Sequence, residues 1–117
     1  MSSKPRMQVG ALPLRKAAGG FTEVLLLTTR STKRWTIPKG WPIKGLKSHE
    51  AAGREVMEEA GVGGKCRKQA AGRYLYWKRR EHHFELCRGR VFPMNVRGNL
   101  DHWPERAQRQ SHWFGRG

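Results

Sequence analysis

The sequence predicts a mixed α/β domain, on three observations. Several short segments are rich in β-forming residues or alternate apolar and polar positions. A single segment, residues 49–60, has helical periodicity instead. Turn-forming residues separate all of them at short intervals, with neither an internal repeat nor an interdomain linker. Strands around one convincing helix are the pattern of a mixed domain. At 117 residues the chain has the length of one such domain. It is taken as spanning 1–117, with residues 1–6 expected to be disordered.

Each element has its own signal. "MQVGALPLRK" (7–16) carries Val9, Ala11, Leu12 and Leu14 around Pro13. Proline cannot donate to a ladder, so an edge strand is expected there. "FTEVLLLTT" (21–29) is a continuous apolar run of β-formers, expected to be a strand buried on both faces. "RSTKRWTIPKGWPIKGLK" (30–47), with its prolines, glycines and basic residues, reads mostly as loop, with "RWTI" a short strand. Ser48 is the expected N-cap of the helix and Gly61 its C′ residue. "AGRYLYWKR" (71–79) and "HFELCRGRVFPM" (83–94) read as two β-segments joined by a charged turn. The tail reads as loop with a short apolar end at Trp113-Phe114.

Lys and Arg number 24 against 9 Asp and Glu, a formal charge of +15. Such a chain is attracted to polyanions: nucleic acid, nucleotides, inositol phosphates or an anionic membrane. Solubility alone would also account for the charge. Apolar runs fall short of the roughly 20 residues a bilayer span needs. "MSSKPRMQVG" lacks the apolar stretch of a signal peptide. A cytoplasmic protein without a membrane partner is therefore expected. Cys66 and Cys87 read as ordinary reduced thiols. His82-His83 has no third ligand at metal spacing.

Against this positive background, "REVMEEAGV" (54–62) concentrates three glutamates. On a helix Glu55, Glu58 and Glu59 fall in a sector about 100° wide, with Ala52, Val56, Met57 and Ala60 opposite and facing the core. Like charges at this spacing repel by about a few tenths of a kcal/mol per pair. Carboxylates held together against that repulsion suit a hard cation such as Mg²⁺; a solvated acidic face is the other reading.

With "IPKG" (37–40) upstream, the segment resembles the signature of the Nudix hydrolases, G-x5-E-x7-R-E-U-x-E-E-x-G-U, where U is bulky and aliphatic. It reads Gly40, Leu46 in place of Glu, Arg54, Glu55, Val56, Glu58, Glu59, Gly61 and Val62, a box over 40–62. "TTRSTKRWTIPKGW" and "WPERAQRQSHWF" are similar to the corresponding regions of the branch that cleaves diphosphoinositol polyphosphates and diadenosine polyphosphates.

The resemblance implies a Nudix-type α/β/α sandwich with a mixed β-sheet, its C-terminal helix missing. The sheet face so left open would be covered by a partner, with a homodimer as the expectation. The resemblance also implies a pyrophosphohydrolase using Mg²⁺ or Mn²⁺ on a phosphoanhydride in a nucleoside diphosphate-linked or polyphosphorylated small molecule. Diphosphoinositol and dinucleoside polyphosphates are the favoured substrates. Glu55, Glu58 and Glu59 would be metal ligands, joined by the Lys39 carbonyl. Arg54 would orient Glu55, and Glu105 is the candidate base outside the box.

Arg30, Lys33, Arg34, Lys39, Gly40 and Lys44 are expected around the substrate, with Lys78, Arg79 and Arg80 as a second wall. Trp41 is a candidate to stack a base, while Trp35 is expected in the core. Leu46 implies altered metal affinity or geometry. Two alternatives stand beside this reading. One is an RNA 5′-end pyrophosphohydrolase, although no RNA-binding module signature accompanies it. The other is a non-catalytic Nudix-like binding module, against which the retained Arg54, Glu55, Glu58 and Glu59 speak.

Overall fold

A computed structural model of the chain describes residues 4–115. Its elements are β1 (Arg6–Lys16), β2 (Thr22–Thr28), β3 (Trp35–Thr36), β4 (Lys39–Gly40), α1 (Ser48–Ala60), β5 (Val62–Cys66), β6 (Gly72–Arg79), β7 (Phe84–Asn99) and β8 (Ser111–Phe114). The strands form one mixed sheet with the path β3-β2-β1-β7-β5; β4 adds to β1, β6 to β7 and β8 to β2. Among the described residues, only the β1–β7 pairing is parallel. The mixed α/β expectation holds, with α1 packed on the sheet. Expected disorder through residue 6 does not hold at its end, because Arg6 opens β1 and pairs with Glu85; residues 1–3 lie outside the described residues.

Far from being an edge, β1 lies at the centre of the sheet. Its proline is accommodated where its neighbours change. Ala11 N–H donates to Pro38 O on the side where β4 pairs with Val9 and Gly10. The period of 2 points residue 13 the same way, and β2 does not begin pairing until Leu14. The missing donor of Pro13 therefore falls in the gap between two partners. Pro93 on β7 sits in a similar gap, between β6 pairing up to Val91 and β5 pairing from Met94.

Alternation fixes the core. Val9, Ala11, Leu25, Leu27, Phe92 and Met94 pack with Ala52, Val56 and Ala60 of α1. On β2 only one face is fully buried, since Val24 and Leu26 are half-buried; "both faces" was too strong. On α1 the buried set is Ala51, Ala52, Val56, Glu59 and Ala60, so Met57 is replaced in the interior by a glutamate. β5 is a strand that its glycines gave no sign of, and β7 runs further than its apolar pattern. The tail, expected as loop, ends in β8, which pairs with β2.

The N-cap of α1 is Lys47, one residue before the expected Ser48. Glu50 Oε1 accepts from the Lys47 N–H at 2.8 Å, so a carboxylate three residues into the helix supplies the capping bond. Gly61 closes the helix in the left-handed conformation, φ 69°, donating its N–H to Met57 O. Leu46 packs against the core cluster, which gives this departure from the signature a physical role.

Candidate active site

Two close approaches position the acidic side of α1. β4 lies so near the helix that a Cβ on Gly40 would run into the Glu55 carboxyl group. At the other end a Cβ on Gly61 would strike the Trp103 ring. Trp103 belongs to a turn-rich segment, 101–110, that is tied to the helix by its backbone: Leu100 N–H donates to Gly61 O (2.7 Å) and Glu105 N–H to Glu58 O (3.0 Å). In this way Glu105 reaches the helix face from far along the chain.

The residue that organises the carboxylates is Arg109. Its Nε donates to Glu105 Oε1 at 2.7 Å and its Nη1 to Thr28 O at 3.2 Å. Its Nη2 stands 3.8 Å from Glu59 Oε1. Glu59 is only 4% exposed. Burial, chiefly, pushes its carboxyl up to about 9, and its hydrogen bond to Glu55 pushes the same way. Burial also raises Glu55, while that same bond lowers it.

These groups lie in a cleft of about 730 Å³. Arg30, Arg34, Lys39, Lys78, Arg79 and Arg109 bring positive charge to its walls. Burial lowers the Lys39 ammonium pKa, opposed by the charge of Glu59; its Nζ donates to Thr36 Oγ1 at 3.0 Å. Tyr76 lines the same cleft, and its hydroxyl bonds, with that of Tyr74, to the buried Gln8. Trp35 is 46% exposed and lines the cleft rather than the core. Trp41 lines it too, with Arg6 4.5 Å and Lys78 5.5 Å from its ring centre.

Of the expected site residues, Glu55, Glu59, Glu105, Lys39, Gly40, Arg30 and Arg34 come together at this cleft. Glu58, Arg54, Lys33, Lys44 and Arg80 are not among its lining residues. Arg54 is exposed and, among the described residues, forms no ion pair with Glu55. Arg80 pairs with Glu85 instead. Arg109 was missed by sequence reasoning. Its one local sign is the four-residue step from Glu105, which also occurs in many surface pairs.

Among the described residues, no three His, Cys, Asp or Glu side chains form a metal cage. That is compatible with Mg²⁺, which is held by one or two carboxylates and completes its shell with water and substrate phosphate. Glu55 and Glu59 line the same cleft, and the missing side chain of Gly40 leaves the room that the Glu55 carboxyl occupies. This pair of oxygen donors fits a hard divalent ion.

Comparison with known proteins gives a consistent result. The NUDIX domain family model matches residues 4–115. "Nudix hydrolase 21, chloroplastic" of Arabidopsis thaliana is 38% identical over 112 residues, covering 92% of this chain and 54% of the relative. "Nudix hydrolase 18, mitochondrial" of the same organism is 35% identical over 115 residues, covering 93% and 64%. The chain thus spans between half and two thirds of these relatives, and their organellar names lend no support to a cytoplasmic location. In fold it is similar to the crystal structure of C. elegans Ap4A hydrolase, with TM-score 0.59, 23% identity and coverage of 96% and 81%. It is also similar to a MutT/nudix family protein from Enterococcus faecalis, with TM-score 0.66, 17% identity and coverage of 97% and 45%. No described helix is long and apolar enough to cross a membrane.

Proposed function

The chain belongs to the Nudix family, and on that premise we propose that it hydrolyses a phosphoanhydride bond in a polyphosphorylated small molecule with a divalent cation, Mg²⁺ or Mn²⁺. The observation that carries the reading is the buried Glu59, with the half-buried Glu55 and Glu105 in the same cleft, under a wall of cations. An interior assembled for stability alone does not collect carboxylates, because desolvating them is costly. Glu55 and Glu59 would hold the metal, with the Lys39 carbonyl as a further oxygen. Glu58 takes a lesser part, its carboxyl standing outside the cleft lining. When bound, the ion supplies an activated water and draws charge from the phosphates.

The remaining work falls to the chain itself. Arg30, Arg34, Lys39, Lys78 and Arg79 bind and neutralise the polyphosphate, the main requirement of phosphoryl-type transfer. Glu105 is the candidate to take a proton from the attacking water, and Arg109 holds its carboxylate in place. The aromatic walls, Trp35, Trp41, Tyr76 and Trp77, favour a substrate with nucleobases over an inositol ring. A dinucleoside polyphosphate is therefore preferred to a diphosphoinositol polyphosphate.

The test is phosphate or nucleotide release with Mg²⁺ from both substrate types, for wild type, Glu55→Gln and Glu58→Gln. Release from the dinucleoside, nearly lost in Glu55→Gln and only reduced in Glu58→Gln, is expected. Absence of metal-dependent release from every diphosphate would instead make the domain a binding module.

A further inference from the structure

The hairpin of β6 and β7 presents a second surface that the hydrolytic reading leaves unused apart from Trp77 and Arg79. Its register places Arg73 opposite Arg90, Leu75 opposite Arg88, Trp77 opposite Leu86 and Arg79 opposite Phe84. The period of 2 puts these eight side chains on one face. Leu75, Trp77 and Phe84 are 58%, 62% and 63% exposed, unusual for large apolar residues. No carboxylate stands in this face: Glu85, opposite Lys78, belongs to the other side and is engaged by Arg80 and Arg6. Trp77 and Arg79 also line the cleft, so the surface continues from the mouth of the candidate active site.

We propose that this face of the β6–β7 hairpin binds single-stranded nucleic acid, with Trp77 and Phe84 stacking bases and Arg73, Arg79, Arg88 and Arg90 meeting phosphates. Arginines stand at both ends of the ladder, with the Trp77 and Phe84 rings beside Arg79, so a single strand crossing this face meets cations for its phosphates and ring faces for its bases. The chain's charge of +15 adds the long-range attraction such a polyanion requires. A membrane fits less well. The end of a hairpin that inserts would be apolar, whereas here Glu81 and His82 protrude from it with side chains 89% and 86% exposed. A second copy of the chain fits less well too, because self-pairing would set arginine rows against each other.

Binding of a labelled 5′-hydroxyl RNA or DNA oligonucleotide to the full chain, followed by fluorescence anisotropy, tests the proposal. That probe has no terminal polyphosphate for the cleft, so the outcome is independent of the hydrolase reading. Phe84→Ala is expected to weaken binding about tenfold. Arg73→Glu/Arg88→Glu should do so by at least about tenfold and flatten the log–log salt dependence by about 1.4. Lys16→Glu/Lys65→Glu, exposed elsewhere and equal in charge change, should stay within about twofold of wild type. Equal losses in the two double variants, or an unaltered affinity in Phe84→Ala, would overturn the proposal. So would phosphatidylserine vesicles or polyglutamate whose binding is lost in Arg73→Glu/Arg88→Glu while oligonucleotide binding persists.

Discussion

Two neighbouring residues of α1, Val56 and Glu59, are buried almost equally and for opposite reasons. Val56 is fully buried and Glu59 is 4% exposed. For Val56 the interior is the favourable place, and removal of its apolar surface from water stabilises the fold. For Glu59 the same interior penalises the charged form, and the carboxyl responds by retaining its proton. One side holds the helix to the sheet. The other keeps a carboxyl group out of water at a cost that the fold tolerates, and such local costs gather at functional sites.

Glu59→Gln should produce the widest separation between the two sides. Metal-dependent hydrolysis is expected to fall about a thousandfold, comparable with the loss of a central transition-state contact. The metal-free protein should nevertheless melt a few degrees higher at pH 8, because glutamine enters the buried position without having to take up a proton on folding. Activity assays and calorimetry on one preparation check both halves. Val56→Ala should do the converse. It opens a hole in the core costing about 2 kcal/mol, read by urea unfolding, while kcat/KM of the folded enzyme stays within about threefold of wild type.

A titration sharpens the same contrast. Between 4.5, the ordinary carboxyl value, and about 9, the folded chain retains on Glu59 a proton that the unfolded chain has released. Stability measured in chelator should therefore decline as pH rises through that window. A single proton contributes at most about 1.4 kcal/mol per pH unit. Val56→Ala should keep this slope and Glu59→Gln should reduce it. The smallest effect belongs to the helix start: Glu50→Ala removes the acceptor of the Lys47 N–H and should cost about 0.5–1 kcal/mol in urea unfolding.

Legibility in the sequence followed from how local each determinant is. The glycine stop of α1 and the burial of Ala52, Val56 and Ala60 depend on neighbours a few residues away, and they read correctly, whereas Met57 did not. β5 did not, because Gly63 and Gly64 carry no periodicity; at Gly64 a Cβ would run into the Asn95 carbonyl, a constraint set by a distant strand. Pro13 suggested an edge because the rule for proline assumes a continuous neighbour, whereas here the neighbour changes. Among the site residues, Gly40, Glu55 and Glu59 share one motif and were read together. Arg109 meets Glu59 only through tertiary structure, and Arg54, adjacent to Glu55 in sequence, is exposed and, among the described residues, forms no ion pair with it.

The parallel pairing of β1 with β7 sets the order in which the molecule can form. Residues 6–14 find their partners at 87–95, so the middle of the sheet cannot close during synthesis until most of the chain has left the ribosome. Contacts so remote in sequence slow the search for the native state. Until then the apolar side of α1 has no complete surface to rest on, and its crowded glutamates remain in water. The emerging chain thus passes through a stage in which a chaperone would meet exposed strands before any ion could find a site.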